Sequence, residues 1–569
     1  MPTYAYWVLA SLRFITAGLT GYIHPDEYFQ TAEIAAGTLA HFQHWVPWEF
    51  QPSGSPSRSI VPVFLTSGVP FACLRALSHI GQRLGYEFTP STYFIFLVQR
   101  MWCALVSFVI DWTVYRALCR SRRDPKPGLL LVATSHVTLT FLTHAFTNGL
   151  ETVWLCLLVL YLNDFLSVEA FSKAGHVAPR RRLTRPQGPS FLGLFGFGLV
   201  VGLGLFTRIT FLAFAFPLII TFIKRLYCDV TNANPKLSWY RRWTRVLNMA
   251  KGSLVGFGTA CIICLLADGY YFGTLSSASW PTIWSILKNL PFQWRDTQLW
   301  RDLSRYIVIA PLNNLLYNLD QDNLADHGLH PRYLHVVVNY PLLFGPLVIF
   351  LLRSVWRLVT NPCMAWQRLT SISMYTGSLI FATGLLSAIP HQEPRFLLPL
   401  LPSLVIVVAP SLPRLASYFW RWWWGFNLVM VLVFGVLHQA GIIPALAFIQ
   451  STALPGGPCT MTRHLPWVTC TRNSATWSPI SQASTVSLRY HTRAIFYRTL
   501  MPPRHLLGPE SIHRRGHSGS VNVIDLQGGP RQRLLQYLEK RYCLPDLQTN
   551  DGFGSETVYQ QLDDTSFKR

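Results

Sequence analysis

The sequence predicts an all-α polytopic membrane protein, and three observations lead to this fold class. Only 13% of the 569 residues are charged, whereas soluble globular proteins contain about 25% charged residues. The mean hydropathy is positive, at +0.27. Several apolar runs approach the roughly 20 residues that a helix needs to cross a bilayer. Much of this chain is therefore not expected to face water.

Eleven apolar runs are predicted to cross the membrane as helices. In chain order they cover 4–22, 95–115, 129–147, 151–168, 190–206, 209–226, 252–271, 336–353, 372–389, 396–412 and 424–443. One further run, 60–80, contains two prolines, an arginine and a histidine. We interpret this run as an interfacial or re-entrant segment, since irregular backbone at membrane depth needs a protected or watery setting.

The positive charge of the chain predicts its orientation. Lys and Arg exceed Asp and Glu by 22, and much of the excess lies in five loops between apolar runs. These loops cover 116–128, 172–185, 224–251, 353–368 and 413–424. Because Lys and Arg are enriched in cytoplasmic loops, the N-terminus is predicted to be cytosolic and the tail lumenal, provided that 60–80 does not cross. The basic loops thus account for the charge, and no nucleic-acid partner is expected.

The same assignment predicts the domain organisation. Residues 1–445 form a transmembrane catalytic domain, with a first lumenal loop over 23–94 and a second long lumenal loop over 272–335. Residues 446–569 form a polar lumenal tail of undefined fold. A disulfide between Cys459 and Cys470 fits an oxidising lumenal setting.

The first lumenal loop opens with two adjacent acids in "HPDEYFQ" (24–30). Ionisable residues close to a membrane are costly and are often functional. Two neighbouring carboxylates near a low-dielectric boundary tend to differ in proton affinity, so one of Asp26 and Glu27 suits a general base. Alternatively, both acids cap a helix that starts near Tyr28, where acids favour the N-terminus.

Cations occur where other predicted lumenal loops meet spans. "HQEPRF" supplies His391, Glu393 and Arg395, and an arginine offers bidentate contacts to a phosphate. The alternative is a local Glu393–Arg395 pair that only orders a turn. Arg208 in "TRIT" lies in a tight hairpin, where it either faces a lipid phosphate or caps a helix end.

Further lumenal polar residues carry weaker signals. His330 and Arg332 in "HGLHPR" (327–332) precede a span, but without a nearby acid or cysteine set they favour interfacial residues over a zinc site. Asn148 with Glu151, and separately Asp268, fit helix caps or turns equally well.

Two classes of function fit this arrangement. In an enzyme acting on a lipid phosphate, acids activate an acceptor hydroxyl and cations stabilise the departing phosphate. In a multispan lipid transporter or scramblase, charged residues line a path across the membrane. The charges cluster at one predicted face of the membrane rather than at its midplane, which favours the interfacial enzyme.

The segment "HPDEYFQTAEIAAG" (24–37) resembles the signature of glycosyltransferase family 22. "TNGLE" (147–151), "TRIT" (207–210), "DGYYFG" (268–273) and "HQEPRFLLPLLP" (391–402) are similar to later motifs of the family, in the same order. The resemblance spans about residues 1–445. It implies the GT-C membrane fold and a dolichyl-phosphate-mannose-dependent mannosyltransferase in the endoplasmic reticulum membrane, with a lumenal site.

Within the family, segments 310–346 and 391–399 are most similar to members that add the fourth mannose to the glycosylphosphatidylinositol (GPI) precursor. The resemblance then implies an inverting transfer that forms an α-1,2-mannoside on the third mannose of that glycan. The alternatives within the family are an N-glycan-pathway enzyme and the enzyme that adds the third GPI mannose.

The resemblance and the residue chemistry together imply roles for single residues. Asp26 is expected to be the general base, with Glu27 as its partner or its alternative. The residues expected to bind the donor and acceptor glycolipids are His24, Asn148, Arg208, His330, Arg332, His391, Glu393 and Arg395. Neither a cofactor nor a metal ion is expected, because the donor sugar is carried by a lipid.

Overall fold

The computed structural model describes residues 4–444 with gaps at 41–43, 45, 53–54, 87–91, 167–189, 277–279, 290–297, 299–305, 327, 361–371 and 415–416. The predicted tail over 446–569 and the cysteines within it lie outside the described residues. All regular structure in the described residues is helical, which confirms the predicted all-α class. Described residues 4–88 and 94–438 belong to one compact unit, which holds all the contacts given below.

Nineteen α-helices lie in the described part of the chain. They are α1 Tyr4–Ala17, α2 Glu33–Ala40, α3 Ile60–Val63, α4 Val69–Arg83, α5 Thr92–Arg120, α6 Lys126–Thr134, α7 His136–Leu139, α8 Thr147–Leu166, α9 Phe191–Thr207, α10 Phe211–Ala233, α11 Trp239–Tyr271, α12 Trp280–Asn289, α13 Ala310–Leu319, α14 Gln321–Asp326, α15 Tyr340–Phe344, α16 Leu347–Thr360, α17 Ile372–Ala388, α18 Leu400–Val408 and α19 Ser417–Val431. The largest hydrophobic core joins side chains of α5, α8, α10, α17 and α18.

Short π- and 3₁₀-helical segments interrupt or extend these helices. The π segments are Tyr28–Ala32, Phe64–Gly68, His335–Asn339 and Leu432–Leu437. The 3₁₀ segments are Trp48–Phe50, Phe141–Thr143, Pro394–Leu397 and Ala409–Arg414. Segments of the π type are often found at functional sites, and the first one follows Asp26 and Glu27 directly.

Five helical segments in the described residues have the length and apolarity of a membrane span. They are Ile60–Arg83, Tyr93–Arg120, Phe211–Ala233, Trp239–Tyr271 and Tyr418–Pro444. A sixth is formed if His136–Thr143 and Thr147–Asn163, bent by 116°, are counted together. Other apolar helices are shorter, so the structure shows a multispan helical protein while the number eleven stays a prediction.

The segment Ile60–Arg83 contains the run that is predicted to be interfacial or re-entrant. It is helical over 24 residues and apolar enough to span. Pro62 lies in the first turn of α3, where backbone N–H groups need no partner within the helix, and Pro70 follows the π segment Phe64–Gly68 within the same helical segment. Since the predicted orientation of the loops depends on this segment, the placement of both termini stays a prediction.

Close contact between α9 and α11 forms the tightest helix pair of the described fold. A Cβ atom on Gly198 would lie 1.8 Å from the Ser253 carbonyl oxygen, and one on Gly256 would lie 2.0 Å from the Phe195 carbonyl oxygen. Small residues that let two backbones approach are the usual means of helix association in membranes. The end of α9 thereby delivers Arg208 to a fixed position.

A buried ion pair fastens α1 to α5. Arg13 Nη1 lies 2.7 Å from Asp111 Oδ2, and the Tyr6 hydroxyl donates to Asp111 Oδ1 at 2.9 Å. The Arg13 guanidinium also lies over the Phe108 ring, 4.4 Å from its centroid. The chain runs from α1 into residues 24–27, and α5 carries Arg100. The ion pair therefore fixes the position of α1 relative to α5, close to the two acids.

The chain between α1 and the acids is also held from the other side. The backbone N–H of Gly21 donates to the Gly435 carbonyl at 2.7 Å, and that of Tyr22 donates to the His438 carbonyl at 3.0 Å. A side chain at residue 21 would lie 2.1 Å from the Phe434 carbonyl oxygen, so this close approach requires glycine. The π segment Leu432–Leu437 therefore fixes the entry to the acidic turn.

Candidate active site

Asp26 lies at the centre of a cluster that joins two distant parts of the chain. Its Oδ2 is 2.5 Å from Nη1 of Arg395, and its Oδ1 is 3.3 Å from Nδ1 of His24. The side chain of Asp26 is 20% exposed, so the carboxylate is reachable from outside. The fold thus brings "HPDEYFQ" and "HQEPRF" together.

Glu393 holds the other side of the same arginine. It accepts a hydrogen bond from Nε of Arg395, and its Oε1 lies 3.0 Å from Nε2 of His391 and 3.7 Å from Nε2 of His24. The predicted local pair between Glu393 and Arg395 is present. It extends into a cluster of two acids, two histidines and one arginine, which we call the Asp26 cluster.

Charge within the Asp26 cluster sets the protonation of its acids. Burial raises the pKa of Asp26, but the charges of Arg395 and His24 outweigh burial and hold that pKa well below its usual range. The pKa of Glu393 is likewise held well below its usual range, since Arg395 and His24 outweigh burial. Burial lowers the pKa of His391, but hydrogen bonding to Glu393 outweighs this and raises it overall. Both acids are therefore ionised at neutral pH.

Glu27 occupies a different environment from its neighbour. Its Oε1 accepts from Nε of Arg100 at 2.7 Å and its Oε2 accepts from Nη2 of Arg100 at 2.9 Å. The side chains are 1% and 0% exposed. Arg100 also donates to the carbonyls of Leu19 and Gly21 and to the Tyr28 hydroxyl. This bidentate buried pair leaves Glu27 no access to a substrate, so the geometry separates two acids that the sequence left equivalent.

Arg208 lies beside the buried acid Glu151. Their Nε and Oε2 atoms are 3.7 Å apart, and Nη1 of Arg208 donates to the Thr147 hydroxyl at 3.2 Å. Asn148 donates to Glu151 across 3.4 Å, so it supports the acid from the same turn of α8. The guanidinium of Arg208 lies 5.3 Å from the centre of the Phe396 ring.

The Phe396 ring connects the two arginine sites. The guanidinium of Arg395 lies 5.7 Å from the same ring centre, and the His391 ring packs edge-on against Phe396 at 5.6 Å. Arg208, Arg395 and His391, which the sequence predicts to bind phosphate, are therefore gathered around one aromatic side chain.

His330 and Arg332 lie behind the Asp26 cluster. Nδ1 of His330 accepts from the Gln392 backbone N–H at 3.3 Å, and its ring is tilted against that of His391 with centroids 5.8 Å apart. Arg332 is exposed and donates to the Ala388 carbonyl at the end of α17. The structure gives His330 a supporting position and gives Arg332 a helix-capping position.

Gln392 ties together the loops that carry these residues. Its amide donates to the carbonyls of Arg332, Ser387 and Ile389 at 3.1–3.3 Å, and its Oε1 accepts from the His335 backbone N–H at 2.9 Å. The residue is 1% exposed. Its buried hydrogen bonds fix the turn that presents His391 and Glu393.

Several residues of this region lie outside the motifs that the sequence singles out. Arg100 lies inside the apolar run 95–115, and an arginine within such a run is itself a functional signal. Arg58 and Glu49 form an ion pair with Nε and Oε1 3.0 Å apart, within the predicted first lumenal loop 23–94. Asp268, predicted as a helix cap or a turn residue, accepts from Ser59 Oγ and Ile60 N, each at 2.8 Å. It therefore caps the start of α3.

A small, mainly apolar pocket lies close to the Glu27–Arg100 pair, on the side of His144. His144 lines it and reaches Glu27 with its Nε2 at 3.8 Å from Oε2. The cavity is lined by Leu65, Thr66, Trp102, Cys103, Val106, Ser107, Ile110, Leu142, His144, Phe146, Gly149, Leu150 and Val153. It opens between α5, the 3₁₀ turn Phe141–Thr143 and α8.

The order and spacing of these motifs match a known family. The model of the Alg9-like mannosyltransferase family aligns with residues 4–455, which include every residue of the site described above. The chain belongs to the Alg9-like mannosyltransferase family. The predictions of glycosyltransferase family 22 and of a mannosyltransferase are thereby confirmed.

Curated relatives align over most of the chain. A "GPI mannosyltransferase 4" from Debaryomyces hansenii is 32% identical over 79% of this chain and 74% of its own length. One from Aspergillus oryzae is 31% identical over 94% of this chain and 82% of its own. The human "GPI alpha-1,2-mannosyltransferase 4" is 31% identical over 94% of this chain and 79% of its own.

A solved structure of low similarity also aligns with the chain. It is that of ArnT from Cupriavidus metallidurans bound to undecaprenyl phosphate, aligned over 80% of this chain and 66% of that chain. The TM-score is 0.37 and the sequence identity is 12%. This similarity is too low to bear on the fold or the site.

Proposed function

We propose that this protein transfers a mannose from dolichyl-phosphate-mannose to the third mannose of the GPI precursor in an α-1,2 linkage. The shared name of the relatives, aligned over 79–94% of this chain, supports the acceptor and the position of the new mannose. Membership of the family supports the GT-C fold and residence in the endoplasmic reticulum membrane. The proposed reaction uses a lipid-linked donor and requires neither a cofactor nor a metal ion.

Asp26 is the general base of the proposed reaction. Asp26 and Glu393 are similarly exposed among the same cations, at 20% and 19%, and the resemblance of the Asp26 motif to the family signature supports Asp26 as the base. The acceptor hydroxyl oxygen attacks the anomeric carbon of the donor while its proton passes to Asp26, and the bond from that carbon to the phosphate oxygen breaks with its electron pair leaving on the phosphate. Attack from the side opposite the phosphate inverts a β-linked donor into an α-linked product.

The cations of the site receive the phosphate. Arg395 faces Asp26 and Glu393, and Arg208 lies across the Phe396 ring. Guanidinium groups form strong charge-assisted hydrogen bonds with phosphate oxygens. Preorganised donors of this kind stabilise the charge that develops on a leaving group.

Phosphate binding also activates Asp26. In the substrate-free geometry, Arg395 keeps the carboxylate strongly acidic and therefore weakly basic. A phosphate that takes up Nη1 of Arg395 removes this ion pair and raises the pKa of Asp26 toward the range in which a base is effective. Glu393 keeps hold of Nε and so retains the arginine in place. The donor is thus expected to bind before the acceptor hydroxyl is deprotonated.

The observation that carries this proposal is the pairing of exposed Asp26 with Arg395 in a chain aligned with these relatives over most of its length. The experiment incubates membranes containing the wild-type chain with labelled dolichyl-phosphate-mannose and a trimannosyl GPI precursor. We expect a tetramannosyl product whose added mannose is released by an α-1,2-specific mannosidase. An N-glycan intermediate and a dimannosyl GPI precursor serve as competing acceptors.

Each result bears on a different part of the proposal. Preference for either competing acceptor would keep the mannosyltransferase and overturn the assigned acceptor. Loss of transfer to all three acceptors, with movement of labelled lipid across the membrane that survives Asp26→Asn, would instead support the lipid-transporter alternative.

A further inference from the structure

Arg58 is held rigidly although it lies in a loop. Its backbone N–H donates to the Glu49 carbonyl at 3.3 Å, as does that of Ser57 at 3.0 Å. The next residue, Ser59, is the N-cap of α3 and donates its hydroxyl to Asp268 at 2.8 Å. The chain is therefore fixed on both sides of Arg58, so the direction of its side chain is determined by the fold.

The side chain of Arg58 is mostly buried yet has spare hydrogen-bond donors. It is 14% exposed, and its contact with Glu49 uses only Nε. Within the described residues, Nη1 and Nη2 of Arg58 have no hydrogen-bond partner. An arginine has five N–H donors, so four of those of Arg58 have no acceptor among the described residues. The Glu49 pair accounts for the position of Arg58 and leaves its terminal amino groups without a role.

The elements next to Arg58 are those that form the proposed site. α3, which begins two residues later, packs against α8, α9 and the π segment Tyr28–Ala32. Of these elements, α8 carries Glu151, α9 ends directly before Arg208, and the π segment follows Asp26 and Glu27. The electrostatic effect agrees with this placement, because burial and the charge of Arg58 together lower the pKa of Arg208 to about 10.

Three arginines consequently face the same region with unused donors. Arg208 donates through Nε and Nη1, and Arg395 contacts acids through Nε and Nη1. Within the described residues, Nη2 of each has no hydrogen-bond partner. A phosphate monoester leaving group carries three terminal oxygens and close to two charges near neutral pH, and two arginines among acids do not fully match that charge.

We propose that Arg58 is a third phosphate-binding arginine, which holds the lipid-linked phosphate together with Arg208 and Arg395. That the phosphate is carried by a dolichyl lipid rests on the proposed function. That Arg58 binds a phosphate rests on its unused hydrogen-bond donors. In the transfer step, the electron pair of the broken carbon–oxygen bond stays on the phosphate, and Arg58 stabilises that added charge. Asp268 is a positioning residue for Arg58 through the N-cap of α3.

The experiment measures lipid binding by the purified full chain in nanodiscs, without any transfer. The probes are dolichyl phosphate, dolichol and inorganic phosphate, and the variants are Arg58→Gln, Arg58→Lys and Glu49→Gln. We expect Arg58→Gln to weaken dolichyl phosphate binding about tenfold to a hundredfold, the usual effect of losing hydrogen bonds to a charged group, and to leave dolichol binding unchanged. The affinity of Arg58→Lys for dolichyl phosphate should lie between those of wild type and Arg58→Gln, since the point charge of lysine replaces the planar guanidinium of arginine.

Glu49→Gln separates phosphate binding from loop order. It preserves the acceptor for Nε of Arg58 while removing the ion pair, so dolichyl phosphate affinity should change less than about threefold. Equal losses in Glu49→Gln and Arg58→Gln would show that Arg58 only orders the loop and would overturn the proposal. Unchanged binding in Arg58→Gln would overturn it as well. Should Arg58→Gln fail to fold, Arg58→Met takes its place, because it keeps a long side chain without the charge; unchanged dolichyl phosphate binding in Arg58→Met would have the same consequence.

The inorganic phosphate arm identifies the source of the phosphate. Competition by inorganic phosphate only at concentrations far above those of dolichyl phosphate supports a lipid-borne phosphate. Equal competition by both would overturn the assignment to a lipid-linked donor. Because binding is measured without an acceptor, a wild-type chain that binds dolichyl phosphate through Arg58 but ignores the GPI precursor would contradict the proposed function alone.

Discussion

Two ion pairs that begin at adjacent residues illustrate how burial changes the role of the same chemistry. Glu27 and Arg100 form a bidentate pair with side chains 1% and 0% exposed. Asp26 and Arg395 form a pair with side chains 20% and 8% exposed. Each pair joins residues far apart in sequence, and each contains one carboxylate and one guanidinium. The first is enclosed by protein, and the second has a side from which a ligand can approach.

The difference follows from helical geometry and from the neighbours of each acid. Asp26 and Glu27 are consecutive residues of a helical turn, where successive side chains diverge by about 100°. One acid therefore faces α5 and the other faces the loop before α18. A fully buried pair is costly to break, whereas in a partly exposed pair the arginine can exchange its partner for another anion. The Glu27–Arg100 pair thus supports the fold, and the Asp26–Arg395 pair suits chemistry.

The largest expected effect is that of Asp26→Asn on transfer. Removing a positioned general base typically lowers a rate by about 10²- to 10⁴-fold, while a half-exposed isosteric change should leave stability close to wild type. Initial rates in membranes with equal amounts of protein measure the effect. Asp124→Asn, at an exposed acid in another loop, is the matched control. A comparable loss in that control, or an active Asp26→Asn, would contradict the role of Asp26.

Glu27→Gln should act on stability instead. It leaves the Arg100 guanidinium buried without its counter-charge, which costs about 3–5 kcal/mol. We expect a lower unfolding temperature in detergent and less protein in membranes. The double variant Glu27→Gln/Arg100→Gln should recover part of the loss. A Glu27→Gln protein of wild-type stability but without activity would show that the buried acid takes part in the reaction.

Gln392→Ala should have an intermediate effect on both properties. It removes three donated hydrogen bonds and one accepted bond from a buried position, at a cost of about 1–3 kcal/mol. Because the same turn presents His391 and Glu393, we expect about a tenfold lower kcat, since small misplacements are costly to catalysis. The exposed Gln82→Ala is the control. Loss of stability with full activity would mean that the turn does not position the site.

The smallest expected effect is a pH dependence of stability in the Asp26 cluster. The pKa of His391 is raised in the folded state, so its stabilising contribution is complete below its unfolded value of about 6.5 and is lost as pH rises through the folded value. Unfolding temperatures measured from pH 6 upward should decline more steeply in wild type than in His391→Gln. Identical slopes in the two proteins would show that His391 does not gain protonation from the Glu393 contact.

Much of the site is visible in the sequence because it consists of acids and cations in short motifs beside apolar runs. Asp26, His391, Glu393 and Arg395 are all in such motifs, and the structure places them in one cluster. Arg58 and Glu49 escape this reasoning because their loop has no charged motif of its own. Arg332 lies in a prominent motif and its side chain caps α17, and its contact with the glycolipids stays a prediction.

The sequence alone is enough to predict the helical membrane class, the family and the short list of acids and arginines. It does so because apolar length, charge depletion and ordered motifs are local properties of the chain. The packing of the chain settles which acid is enclosed and which is accessible, that Ile60–Arg83 is one helical segment of span length, and that α3, just after Arg58, packs against α8, α9 and the π segment Tyr28–Ala32. These outcomes depend on contacts between residues far apart in sequence, such as Glu27 with Arg100 and Asp26 with Arg395, whose burial no single stretch of sequence specifies.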